Sequence, residues 1–127
     1  MADYNPRNVG DTFTKAASAA VTGGQVLDIT GNDTVGPSGA ASVKVCGVAA
    51  FDQPTTGGRV TIWRRNMEHI SVIKTGVTLA AGDPIMTDAA GKIDKFVTAS
   101  SKAESLLGFC IVGGTGDGTV TASWVGI

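Results

Sequence analysis

Two stretches of this 127-residue chain are written in one pattern. Residues 21–35, VTGGQVLDITGNDTV, and residues 76–93, GVTLAAGDPIMTDAAGKI, both carry an apolar alternation, a glycine break, a second alternation and a turn. Setting Gly24 on Gly82, an offset of 58, brings Val21, Leu27, Ile29 and Val35 onto Leu79, Ile85, Thr87 and Ile93 in the same phase. Further along, VCGVAAF at 45–51 falls on LLGFCIV at 106–112 at an offset of 61, and GRVTI at 58–62 falls on GTVTA at 118–122 at an offset of 60. Three blocks in one order at nearly constant spacing point to an internal duplication with a period near 60. That constrains the fold more than any single motif, because whatever the first half builds the second half is expected to build again.

Each unit reads as strands. The first runs QVLDIT, a turn at GND or NDT, SVKVCGVA with a bulge at Gly47, the loop QPTTGG, and RVTIWRR. The second runs DPIMTD, an AAG turn, KIDKFVT, LLGFCIV, the loop GGTGDG, and TVTASWV, where Val120, Ala122 and Trp124 alternate with Thr119, Thr121 and Ser123. Such alternation belongs to a half-buried antiparallel strand. Between the units EHISVIKTG also alternates, with Ile70 and Val72 on one face. Composition agrees: 14 Val, 8 Ile and 15 Thr stand against 4 Leu and 2 Glu, a balance that favours pleated sheet over helix. Only SKAESLL has helical signals, with Ser101 and Glu104 at capping-box spacing, and Gly108 limits it to a short helix or 3₁₀ turn near 101–107. GPSGAAS at 36–42, in the matching place of the first unit, reads as a loop. The expectation is an all-β protein: one compact barrel-like domain over 13–127, with half-repeats at about 13–66 and 69–127, preceded by an extended N-terminal arm over 1–12.

Reactive groups are scarce. His69 is the only histidine and has no recognisable nucleophile or metal partner, so a solvated or hydrogen-bonded strand histidine is expected. Glu68 and Glu104 belong to no carboxylate pair, and the nine aspartates fall largely at turns, where the side chain bonds neighbouring backbone. GGTGDGTV at 113–120 lacks the Gly-Lys-Ser/Thr ending and the following helix of a phosphate loop, and it lacks the acidic ligands of a calcium loop. Cys46 and Cys110 lie in apolar runs and read as buried free thiols, with a disulfide between them left open and no zinc spacing. No enzyme activity, cofactor or metal is expected.

Surfaces are therefore the place to look. The net charge of −1 and a charged fraction of 17% argue against a general nucleic-acid field, and few charges would need desolvating at a protein interface. The opening MADYNPRNVGDTF has no apolar stretch, so no secretory or transit segment is expected, and no run approaches the ~20 apolar residues of a membrane helix. Within the arm, Tyr4, Asn5, Pro6, Arg7 and Asn8 form a candidate docking segment, since Tyr and Arg are favoured anchors and Pro lowers the entropy lost on docking. The concentrated basic feature is Arg59, Arg64 and Arg65 around Trp63, which reads as a strand's wet face, a contact for an acidic partner or a base-stacking patch. Trp63, Arg64 and Arg65 join the arm as candidate interface residues.

The order of NPRNVGDTFTKAASAAVTGGQVLDITG, SVKVCGVAAFD, GRVTIWR and GVTLAAGDPIMTDAAGKI leading to LLGFCIV resembles the small capsid cement, or head-decoration, proteins of tailed bacteriophages over nearly the whole chain. The resemblance implies a β-tulip or β-clip type barrel and a homotrimer at local three-fold positions outside an expanded capsid, bridging neighbouring major capsid protein subunits. It places the protein on the outer surface of the virion after synthesis in the host bacterial cytoplasm, with no enzyme activity, cofactor, nucleic acid or membrane partner. The chain departs from the family pattern in RRNMEHIS, where a turn is expected. Two other readings remain: a β-clip-like module binding carbohydrate or a small ligand, to which an aromatic content of 6% gives little support, and a hydrolase or isomerase, opposed by the poor His, Glu and Cys inventory.

Overall fold

The computed structural model describes residues 12–65, 67–116 and 118–124, the last six through their backbone. The strands in chain order are β1 (Thr12–Ala17), β2 (Val26–Gly31), β3 (Thr34–Pro37), β4 (Val45–Ala49), β5 (Arg59–Arg64), β6 (Glu68–Val72), β7 (Thr78–Leu79), β8 (Pro84–Thr87), β9 (Ile93–Lys95), β10 (Gly108–Val112), β11 (Gly114–Thr115) and β12 (Thr119–Trp124). The first five close a barrel in the order β1-β3-β2-β4-β5, five more form a sheet in the order β6-β12-β10-β8-β9, and β7 pairs with β11. Two short 3₁₀ turns, Ala89–Gly91 and Ala103–Ser105, complete the regular structure of the described residues. The protein is all-β.

The duplication extends to the hydrogen-bond register. In β2–β3, Leu27 faces Pro37, Asp28 faces Gly36 and Ile29 faces Val35; in β8–β9, Ile85 faces Lys95, Met86 faces Asp94 and Thr87 faces Ile93, the same pairs moved by 58. Likewise Gly47–Arg64, Val48–Trp63 and Ala49–Ile62 recur as Gly108–Trp124, Phe109–Ser123 and Cys110–Ala122. The β1–β5 ladder recurs residue for residue in β6–β12. The parallel contact of Ala17 with Val35 that closes the barrel reappears as an isolated parallel bridge between Ile73 and Ile93. Turns match too: the Gly24 and Gly82 N–H groups donate to the carbonyls of Ala49 and Cys110, both at 2.8 Å, with φ of +89° and +91°. Beside them, the Thr22 and Ala80 N–H groups donate to side-chain oxygens of Gln25 and Asp83.

Packing separates the two units. Leu27, Val35, Ala49, Val60 and Ile62 fill the first barrel. Their counterparts Ile85, Ile93 and Cys110, with Ile73, Leu79 and Leu107, share a second core with Val26, Val45 and Val48, which stand on the outer wall of that barrel. Thus the inner face of the second sheet covers the wall of the first barrel, and a single parallel bridge suffices where the first unit has a ladder. The bulge in β4 makes this possible. The register against β2 jumps from Gly47 to Val45 and skips Cys46, so Val45 and Val48 face one core while Cys46 and Ala49 face the other; strict alternation would have put Val45 and Val48 on opposite sides.

Several expectations are corrected. Gly36 and Pro37, read as loop, belong to β3, held by the β2 ladder. KIDKFVT contributes only three strand residues. The loop GGTGDG contains β11, paired to β7. The short turn near 101–107 is present as 3₁₀, but its expected capping box is not: Lys102 occupies the cap without a side-chain bond, and the Ser101 hydroxyl accepts the Val97 N–H instead. In RRNMEHIS β5 ends at Arg64 and β6 begins at Glu68, leaving room for the turn. Of the arm, Thr12 belongs to β1 and residues 1–11 lie outside the described residues.

Candidate interaction surface

Strand β5 positions the basic and aromatic candidates. Val60 and Ile62 point into the barrel, so Trp63 points out and is 40% exposed. The next residue, Arg64, sets its guanidinium 5.1 Å from the centre of the Phe13 ring on β1, a cation–π contact. After β5 the chain turns Arg65 inward to 8% exposure. There its Nη1 donates to the Val45 carbonyl at 3.4 Å, while Nε has no partner among the described residues. Burial pulls this guanidinium down from its usual pKa. The run Trp63–Arg64–Arg65 is thus split into an exposed aromatic, a stacked cation and an inward cation. Arg59 stands exposed at the opposite end of the strand. Tyr4, Asn5, Pro6, Arg7 and Asn8 lie outside the described residues.

Trp63 opens onto a groove of about 320 Å³ between the barrel wall and the second sheet, lined by Val48, Met67, Glu68, His69 and Ile70. Here β6 is inverted relative to ordinary amphipathic strands. His69 and Ser71 are buried, while Ile70 is 64% exposed and Val72 shares its outward face. His69 Nε2 donates to the Arg64 carbonyl at 2.7 Å. Burial lowers its pKa from the ordinary value of 6.5, with the bond to Arg64 opposing. The folded protein therefore holds this ring neutral to lower pH than the unfolded chain does. Between those two values the unfolded state binds more protons, so stability is full above 6.5 and falls as the pH drops below it. Urea midpoints measured at pH 7 and pH 5 are expected to fall on acidification, and less so in His69→Gln; an equal fall in both proteins contradicts this assignment.

The rest of the described surface offers little chemistry. Cys46 and Cys110 are free thiols. Burial, with the Asp28 charge adding, pushes the Cys46 thiol up to about 12, and burial followed by the Asp83 charge raises Cys110, so neither ionises readily. Among the described residues no group of three or more His, Cys, Asp or Glu could hold a metal ion. A cleft of about 230 Å³, lined by Phe13, Ile29, Val35 and Cys46, carries the Lys15–Asp33 ion pair on its lining. Sequence reasoning missed one feature: Phe109, Ile111 and Val112 on β10 are exposed, as are Ile70 and Val72 on β6. Alternation in EHISV and the apolar run GFCIV were legible, but which phase faces the interior was not.

No protein-family model matches the chain, and no curated protein matches it. Among solved structures the fold is similar to the head fiber gp8.5 N base of bacteriophage phi29, with a TM-score of 0.67 and 17% identity, over 90% of this chain and 92% of that one.

Proposed function

We propose that the protein is a non-enzymatic structural component of a tailed-phage head, a decoration protein that binds the outside of the expanded capsid. It bridges neighbouring major capsid subunits and so stabilises the mature shell. The observation that carries this reading is the likeness of fold, over nine-tenths of both chains, to a phage head fiber base, and the resemblance of the sequence to head-decoration proteins points the same way. The chemistry agrees: thiols held protonated, a lone histidine committed to a backbone carbonyl, and apolar side chains standing on outward sheet faces.

In this role the protein acts through many copies, each adding modest interface energy. Binding the mature shell but not the immature one shifts the equilibrium towards the mature lattice. A homotrimer would carry three arms, so the second and third contacts form at high effective concentration. The arm residues Tyr4, Asn5, Pro6, Arg7 and Asn8, together with Trp63 and Arg64, are the proposed capsid contacts, with Arg65 bracing the turn behind them.

The test is to mix the purified protein with shells that lack it and image the added density. Density at three-fold or other interstitial positions, with greater resistance to heat or shear, is expected; shells left bare overturn the reading. Removal of residues 1–10 is expected to leave a folded body whose shell binding falls at least about a hundredfold through lost avidity, read by co-sedimentation. Undiminished binding by the truncated chain would remove the arm from the proposal.

A further inference from the structure

We propose that the outer face of β6, β12 and β10 is the surface on which copies of this chain meet about a rotation axis. This deepens the proposed function by locating its self-association.

Three observations carry it. First, the apolar residues on this face stand out by construction. Strand β6 buries a histidine and a serine and exposes Ile70 and Val72, while the register of β10 against β12 slips between Cys110 and Val112. That slip lets both Ile111 and Val112 point out where strict alternation would have returned Val112 to the interior. The register sets Ile70, Thr121 and Val112 in one row.

Second, the three strands, EHISV, TVTASW and GFCIV, contain no Asp, Lys or Arg and a single Glu, Glu68, at the end of β6, while their histidine, His69, is buried away from this face. A residue beside a rotation axis faces its own copy, so a charge there meets a like charge whereas an apolar side chain meets a matching one. A nearly uncharged face with apolar side chains from β6 and β10 suits a second copy of the chain better than a partner recognised by charge.

Third, the duplication supplies an internal precedent. Phe109 occupies on β10 the place that Val48 holds on β4, and its register neighbour Pro84 occupies the place of Val26. In the first unit that wall is 4% exposed at Val48, because the second sheet covers it; in the second unit it is uncovered, with Phe109 46% exposed. The wall through which one repeat binds the other is thus presented again on the second unit, where no described residue covers Phe109.

The test uses the purified full chain without shells, so that failure to assemble and failure to bind capsid are read separately. Light scattering and sedimentation velocity at concentrations up to millimolar are expected to give an oligomer. Phe109→Asp and Val112→Asp are each expected to weaken self-association at least about tenfold, with an unchanged circular dichroism spectrum. Phe51→Asp, at the exposed site equivalent to Val112 on the first unit, should leave the mass unchanged. As a second readout that does not depend on tolerating a charge, Val112→Cys is expected to form an intermolecular disulfide on mild oxidation. A wild-type monomer at all concentrations, aspartate variants that keep the oligomer, or absence of the Val112→Cys cross-link overturns the proposal. Equal loss of mass in Phe51→Asp would move the interface to the first unit.

Discussion

Gly47→Ala is expected to cost about 3 kcal/mol or more, a large share of the stability of a domain whose total is on the order of 5–15 kcal/mol. A Cβ at this position collides with the carbonyl oxygen of Trp63 and lies 2.8 Å from Ile62 Cγ2. The first obstacle is backbone, held in the β4–β5 ladder by the pairing of Gly47 with Arg64 and of Val48 with Trp63, so it cannot swing aside as a flexible side chain would. Relief requires opening the β4–β5 ladder of the barrel. Gly39→Ala is the control, because a Cβ there meets nothing within 4 Å and its backbone is not left-handed. The urea midpoint should fall sharply for the first variant and hardly move for the second; a Gly47→Ala stability within about 0.5 kcal/mol of wild type would contradict the close approach.

Leu27→Ala and Ile85→Ala are the second large pair, each expected to cost about 2–5 kcal/mol. These residues hold equivalent positions in the two units and are both fully buried, yet they lie in different cores. Leu27 sits inside the first barrel, and Ile85 lies in the shared core that includes Val26, Val45 and Val48 from that barrel's wall. Because strands β2 and β4 contribute to both cores, loss of either core undermines the other. Both variants should still unfold in one transition, with coincident calorimetric and fluorescence midpoints. Two separated transitions in Ile85→Ala would mean that the units fold independently.

Much of the architecture was legible in advance because duplicated turns and apolar phase travel together. The offsets of 58, 61 and 60 derived from Gly24, Gly47 and the GRVTI strand are the offsets of the observed ladders. The bulge near Gly47 was also legible, since a glycine inside VCGVA is the residue type a close crossing demands. Other features were not. GPSGAAS at 36–42 read as a loop, but the β2 ladder holds Gly36 and Pro37 extended. Ser101 and Glu104 had capping-box spacing, but three 3₁₀ residues leave no first turn of α-helix to cap, and Ser101 is engaged by Val97. The basic cluster looked like one surface, but the turn after β5 sends Arg65 inside.

The sequence by itself determined that the protein is all-β, that it is built twice, and that the turns at Gly24 and Gly82 are equivalent, because backbone conformation and strand phase are local properties repeated at fixed offsets. Only the tertiary structure decided which copy closes into a barrel and which opens its inner face onto its neighbour. It also decided that Ile70 and Val72 stand outside while His69 and Ser71 lie within. The physical reason is that a strand of period two states that its faces differ but not which one meets another sheet. That choice is made by the whole wall of Val26, Val45 and Val48 taking its apolar cover from the second unit, and no pattern within either strand contains it.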